Sequence, residues 1–294
     1  MGITGRIAAR LTRQAYARER IPERALWWLS AAGMRDWYRV PDKRLTEHTP
    51  DARALLVDAA TKMFERRADA LTEARLAAAP SRRHTALLMS ALYRMDASHR
   101  AAWVVSGLGD APRTARDKLD ARRLLSRLSV RERWEEVATH LGELLIVLTQ
   151  ELPPHLPHAR KILGDICFDA GRKYAERVRR TFSIDDPLAD APRAAMEVLR
   201  MSEYVFRVNP EHWSESDGER GWLEGTACPW WSRPGWNGAH CGIFGQFQSG
   251  IASAFGLRYH LTKTIPRHGG HTCRIDVRPI ELRRKPTASP DAHT

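Results

Sequence analysis

Apolar residues recur at helical spacing up to about residue 183, and there the pattern breaks. This change of texture limits the fold more than any motif does. In the first part the apolar positions fall three and four apart, which puts them on one face of a 3.6-residue turn. Leu55, Ala59, Met63 and Leu71 make one such stripe, and Leu87, Leu88, Leu92 and Tyr93 carry the pattern on toward Trp103. Pro22 suits the first turn of a helix bearing Leu26, Trp27 and Leu29. Ser129 and Glu132 have the spacing of a capping box, in which hydroxyl and carboxylate satisfy each other's backbone N–H. The helix they open carries Trp134, Val137, Leu141, Leu144, Leu145 and Leu148 and stops at Pro153-Pro154. Another runs over about 158–182. No fixed period repeats, so a solenoid is not expected.

Beyond Asp185-Asp186-Pro187 the chain reads differently. A short helix passes through Ala195 and Leu199, and 203–208 (Tyr204, Val205, Phe206, Val208) reads as a strand ended by Asn209-Pro210. A second strand is expected over 221–228, and the two prolines of 229–234 forbid regular structure there. Residues 237–255 keep helical spacing despite four glycines, with Cys241, Phe244, Ile251 and Phe255 on the apolar face. Strands over 259–265 and 272–277 flank a glycine-rich turn containing His268 and His271. The expected class is α+β: a helical region over 1–150, an α/β domain with an antiparallel sheet over 151–282, and a disordered polar tail over 283–294.

Charge points away from chemistry rather than toward it. The 294 residues hold 47 Lys plus Arg against 35 Asp plus Glu, a net +12. Residues 1–150 hold 27 cations and 18 acids, and the remainder 20 and 17. Forty of the cations are Arg and only seven Lys, in an Ala-rich chain, which fits a coding bias better than a phosphate-binding surface. Neither nucleic acid nor a membrane surface is expected as a partner. Residues 1–18 carry four Arg, no acid and an apolar series of Ile3, Ile7, Leu11 and Ala15. That resembles a targeting or membrane-surface helix, but its apolar face is narrow and mixed charges follow, so a packed or dimer-forming helix is preferred. Four cysteines without a secretory segment suggest reduced thiols in a cytoplasm. No apolar run approaches the ~20 residues of a membrane span, so a soluble chain is expected.

Aromatic and thiol density peaks between His212 and Cys241, where Trp213, Trp222, Trp230, Trp231 and Trp236 gather. Such side chains suit the walls of a small-molecule pocket, and equally the core of a small α/β layer. Cys241 falls near the start of a helix, where the dipole favours a thiolate, though a buried place on the apolar stripe fits it as well. His240 is adjacent but diverges from it by roughly 100° around a helix. Cys228, Cys241 and Cys273 with His240, His268 or His271 could supply zinc ligands, but not with the spacing of paired knuckles.

Three segments carry a family resemblance: Gly171-Arg172-Lys173-Tyr174-Ala175, the run from Cys241 through Gly245 and Gly250 to Gly256, and Gly269-Gly270-His271-Thr272-Cys273. Over about 155–280 they resemble the 4-vinyl reductase type domain, which includes small-molecule sensors of bacterial regulators. They are also similar to the L-2-amino-thiazoline-4-carboxylic acid hydrolase family, matched at Cys228-Pro229, Cys241 and Cys273. The resemblance implies a hydrolase-like enzyme opening a C–N bond in a small heterocyclic or amide substrate. Cys241 would act as nucleophile or anchor with Cys228 beside it, and His240 or His212 as acid and base. Trp230, Trp231 and Trp236 would wall the substrate and Gln248 would contact it. The alternative is a non-catalytic binding or sensor module using the same pocket. Sensor domains of this type hold zinc with a glutamate and a third cysteine on the preceding strand, and 261–266 contains neither. No cofactor is therefore favoured; zinc would need Cys241, Cys273, Cys228 and His268 together. A homodimer is expected.

Overall fold

Ser129 and Glu132 open α7 (Val130–Glu151) as the sequence predicts: the Glu132 N–H donates to the hydroxyl at 3.2 Å and the Ser129 N–H to the carboxylate at 2.7 Å. The computed structural model describes residues 3–75, 82–109, 112–184, 190–207, 212–226, 228–265 and 272–280. Before α7 come α1 (Ile3–Ala17), α2 (Glu23–Leu45), α3 (Ala52–Arg75), α4 (Arg82–Leu92), α5 (Ala102–Leu108) and α6 (Ala115–Ser126), the last opened by a Thr114–Asp117 capping box. Pro22 is the residue just before α2 rather than part of its first turn. α8 (Ala159–Phe182) ends where Ser183 turns left-handed, at φ 46°. Among the described residues the helical reading up to 183 stands, while 76–79 of the stretch expected over 51–79 lie outside them.

The next stretch departs from expectation. Residues 203–206 are not a strand but the last turn of α9 (Ala191–Phe206), which Asp190 caps and Arg207 stops at φ 52°. An apolar run has no period of its own, so surroundings decide it. Here packing comes from several sides: the Val205 carbonyl accepts from both Ser30 and Trp134, Tyr204 meets Trp134 edge-on, and Phe206 meets Phe247. The strand that does occur, β1 (His212–Ser216), is a polar edge strand that the sequence reading missed, with Trp213 exposed.

β2 (Gly221–Gly225), α10 (Gly238–Ser253), β3 (Leu257–Lys263) and β4 (Cys273–Pro279) lie close to their expected positions. The sheet is antiparallel throughout, in the order β1-β2-β4-β3. Its register sets Leu223 opposite Ile275 and Gly225 opposite Cys273, so one face is apolar and the β4 thiol sits at that face's edge. The fold is α+β, as expected. The hairpin turn with His268 and His271, and the tail over 283–294, lie outside the described residues.

Apolar packing runs across residue 150. One buried cluster takes in α2 to α7, the first half of α8, and Trp230, Trp236, Ile243 and Phe244. The other joins the end of α8, α9, the sheet and the end of α10. α8 and α10 belong to both, and they cross so closely that only glycine fits at two points. A Cβ on Gly171 would fall on the Phe247 carbonyl, and one on Gly250 on the Phe168 carbonyl. Among the described residues, no helix is long and apolar enough to cross a membrane.

Candidate functional site

The tryptophan loop is fixed before it can form a wall. Trp230 lies flat over Gly142 of α7, its indole N–H donating 2.9 Å to the Ala138 carbonyl, and it is 1% exposed. Trp236 packs on it with ring centres 5.1 Å apart, and Phe244 meets it edge-on at 4.9 Å. Arg66 and Arg233 tie the same loop to α3 and α7, through the Pro234 carbonyl at 2.6 Å and the Thr139 hydroxyl at 3.3 Å. Trp231 does not join the wall; it is 43% exposed.

Between this loop, α10 and the sheet lies a cavity of about 50 Å³. Trp230, Trp236, Phe244, Leu223, Leu261 and Ile275 give it an apolar lining. Three thiols face it, each from a different element: Cys228 from the loop, Cys241 from α10 and Cys273 from β4. Cys167, the fourth cysteine, is buried in α8. The sequence placed the three in a loop, a helix and a strand, and the fold brings them to one cavity.

Burial governs their chemistry. It pushes the Cys228 thiol up to about 12 and raises Cys241 and Cys273 as well. The Trp236 indole N–H donates to Cys241 Sγ at 3.3 Å, and the Ile265 N–H to Cys273 Sγ at 3.3 Å, but neither bond offsets the lost hydration. The thiolate expected at Cys241 from the helix start is thus outweighed by desolvation.

His240 is turned to another task. Its Nδ1 accepts the Asn237 N–H at 3.1 Å, closing a capping box at the start of α10. The proton is then on Nε2, which donates to the Thr149 hydroxyl at 2.7 Å. Burial keeps the ring neutral by lowering its pKa, and the ring stacks on Trp236. It anchors α10 to α7 and makes no bond to the neighbouring thiol. His212 sits on β1 with Nε2 3.4 Å from Glu19, away from the cavity lining.

Gln248 does line the cavity, and its amide is held in one orientation. The Tyr259 hydroxyl, kept protonated by burial and then by the nearby Glu203 carboxylate, donates to the amide oxygen at 2.7 Å. The amide nitrogen donates to Glu203 at 2.6 Å. Glu203 is 1% exposed, and the sequence reading passed over it as the first residue of a supposed strand. A lone acid heading the run Tyr204-Val205-Phe206 was the one signal available.

The helical half holds a second buried polar chain that no motif announced. Tyr93 meets His140 Nδ1 at 2.8 Å, and His140 Nε2 lies 2.9 Å from Glu136. Arg67 then grips Glu136 with two bonds of 3.0 and 2.8 Å. Burial alone would raise the Glu136 carboxyl, but His140 and Arg67 overrule it and hold it down to about 2.

Among the described residues, no three His, Cys, Asp or Glu side chains are grouped so as to hold a metal ion. His268, the fourth ligand that zinc would need beside Cys228, Cys241 and Cys273, lies outside the described residues. No family model, curated protein or solved structure matches the chain. The likeness to the vinyl-reductase and thiazoline-hydrolase families rests on the glycine and cysteine spacing alone.

Proposed function

We propose that the chain is a small-molecule-binding module, with the thiol-lined cavity between the tryptophan loop and the sheet as its binding site. The observation that carries this reading is geometric: three thiols from a loop, a helix and a strand line one apolar cavity, where burial favours their S–H form. A hydrolase working through Cys241 needs a thiolate and a base bonded to it. Burial opposes the first, and the adjacent imidazole is spent on Asn237 and Thr149. Neutral thiols and indole rings are polarisable and weakly polar, and such a lining favours a small, uncharged, largely apolar guest. Size narrows it further. At about 50 Å³ the cavity is well below the roughly 150 Å³ that accepts benzene, so a guest of a few heavy atoms fits without displacing a wall.

The test is thiol protection. Xenon and dimethyl sulfide are titrated into the intact chain while the alkylation of Cys228 and Cys241 by iodoacetamide is followed by mass spectrometry. Both guests are expected to slow alkylation in the parent, and Trp236→Ala to extend protection to thiophene. Indifference of both thiols to every guest refutes the binding reading. Turnover of a thiazoline or amide panel that disappears in Cys241→Ala would reinstate the hydrolase.

A further inference from the structure

The sequence leaves α1 as a packed or dimer-forming helix with Ile7 and Leu11 on its apolar face, and within the chain the helix does not pack through these two residues. α1 is held from its other side. Arg13 grips Glu197 of α9 with two bonds, and Tyr16 meets Phe182 and Tyr204 edge-on. Arg13 is two residues from Leu11, roughly 200° around the helix, so docking through Arg13 turns Leu11 outward. Ile7 is 56% exposed and Leu11 60%. Beside them α2 presents Trp28 and Leu29, 38% and 42% exposed, and with Ile21 these form an apolar groove between the two helices. Single exposed apolar residues are ordinary, but four on one contiguous face are not.

The rim of this patch is basic. Over residues 7–29, Arg10, Arg18, Arg20 and Arg24 are exposed, against Glu19 and Glu23, while Arg13 is taken up by Glu197. Glu19 already pairs with Arg200, and Glu23 lies 3.6 Å from Arg131. Arg24 and Arg94 stack on the Trp28 ring, at 5.1 and 4.0 Å from its centre, which leaves an indole flanked by two cations at the surface.

We propose that this face docks on an anionic lipid surface. Ile7, Leu11, Trp28 and Leu29 enter the headgroup–acyl boundary, and the surrounding arginines meet lipid phosphates. Charge argues against a second copy as occupant, because a twofold contact would press two basic rims together.

The experiment is cosedimentation of the full chain with phosphatidylcholine vesicles, with and without one-third phosphatidylglycerol. Binding is expected to the anionic vesicles at low salt and to weaken as salt screens the rim. Because both side chains are exposed, Ile7→Ser and Leu11→Ser leave the thermal midpoint unchanged, yet each lowers partitioning by about tenfold. Arg10→Glu with Arg20→Glu removes the preference for anionic vesicles. Equal partitioning into neutral vesicles, or full binding by the serine variants, overturns the proposal. So does a concentration-dependent dimer that Leu11→Ser abolishes, or binding of an acidic Glu/Leu amphipathic peptide by a chain that ignores both vesicle types.

Discussion

Adding one methyl group to Gly142 tests whether the tryptophan loop is seated on α7. In a helix interior Gly→Ala ordinarily stabilises, by about 0.5–1 kcal/mol, because alanine loses less backbone entropy on folding. Gly242 of α10 is such a position: a Cβ there has nothing within 4 Å. At Gly142 the same methyl would lie 2.5 Å from Trp230 Cγ and 2.8 Å from its Nε1, and closer still to Cδ1. The obstacle is a rigid ring, 1% exposed and pinned by Ala138, so it cannot swing aside cheaply. Overpacking of this kind costs about 1–3 kcal/mol, and losing the indole bond adds about 1 kcal/mol. Set against the propensity gain, Gly142→Ala loses about 2 kcal/mol net while Gly242→Ala gains a few tenths or more. Urea unfolding of the two variants gives the signs. Because a displaced Trp230 opens the cavity, alkylation of Cys228 and Cys241 should also quicken in Gly142→Ala alone. If Gly142→Ala is as stable as the parent and its thiols stay as slow, Trp230 does not rest on α7 and the site is built differently.

Glu136 gives a pH dependence. Its folded pKa, about 2, lies below the ordinary 4.5, so its contribution is complete above pH 4.5 and lost as pH falls toward 2. The upper figure is about 3 kcal/mol, and Glu136→Gln should flatten the acid limb of stability measured by urea titration over that range. Cys228, raised to about 12, has the opposite sign: its contribution is present below pH 9 and lost as pH rises toward 12. At pH 8 its alkylation should be at least ~100-fold slower than in urea-unfolded chain, and equal rates would contradict the buried thiol. Trp134→Phe and Ser30→Ala each remove one of two donors to the Val205 carbonyl. Singly each should cost about 1 kcal/mol. The double variant leaves a buried acceptor bare and should lose more than the sum, whereas strict additivity in a double-mutant cycle would deny that shared acceptor.

What the sequence made legible was local. The helices to residue 183, the Ser129–Glu132 cap and the helix over 237–255 follow from side chains a few positions apart. Of the four glycines in α10, Gly245 and Gly250 have a tertiary reason, the close approach of Tyr259 and Phe168. Misreadings arose where distant partners decide. Residues 203–206 have strand composition but are surrounded by α2, α7 and α10, and a helix satisfies those contacts. His240 adjoins Cys241 in sequence, yet its ring is claimed by Thr149, 91 residues earlier. Glu203 acquires meaning only from Gln248, 45 residues later. The exposure of Leu11 follows from Glu197, which no pattern within α1 could announce.

α7 explains how the pocket and the helical half belong to one structure. At roughly 100° per residue, Ala138, Gly142 and Thr149 fall within about 40° of one another. They receive the Trp230 N–H, the Trp230 ring and the His240 imidazole. Glu136, His140 and Glu143 fall on the opposite side, where Arg67, Tyr93 and Arg66 meet them. One face of a single helix thus supports the cavity wall, and the other carries a buried ionic chain with little freedom to rearrange. A helix fixed this way cannot rotate to accommodate a guest without breaking charge-assisted bonds, each worth about 1.5–3 kcal/mol. Any response to occupancy must therefore come from the loop over 228–236, whose turns carry no ladder bonds, and not from the helix beneath it. Guest binding should accordingly change thiol accessibility and tryptophan environment while leaving the Tyr93–His140–Glu136 chain, and the acid limb it governs, as they are.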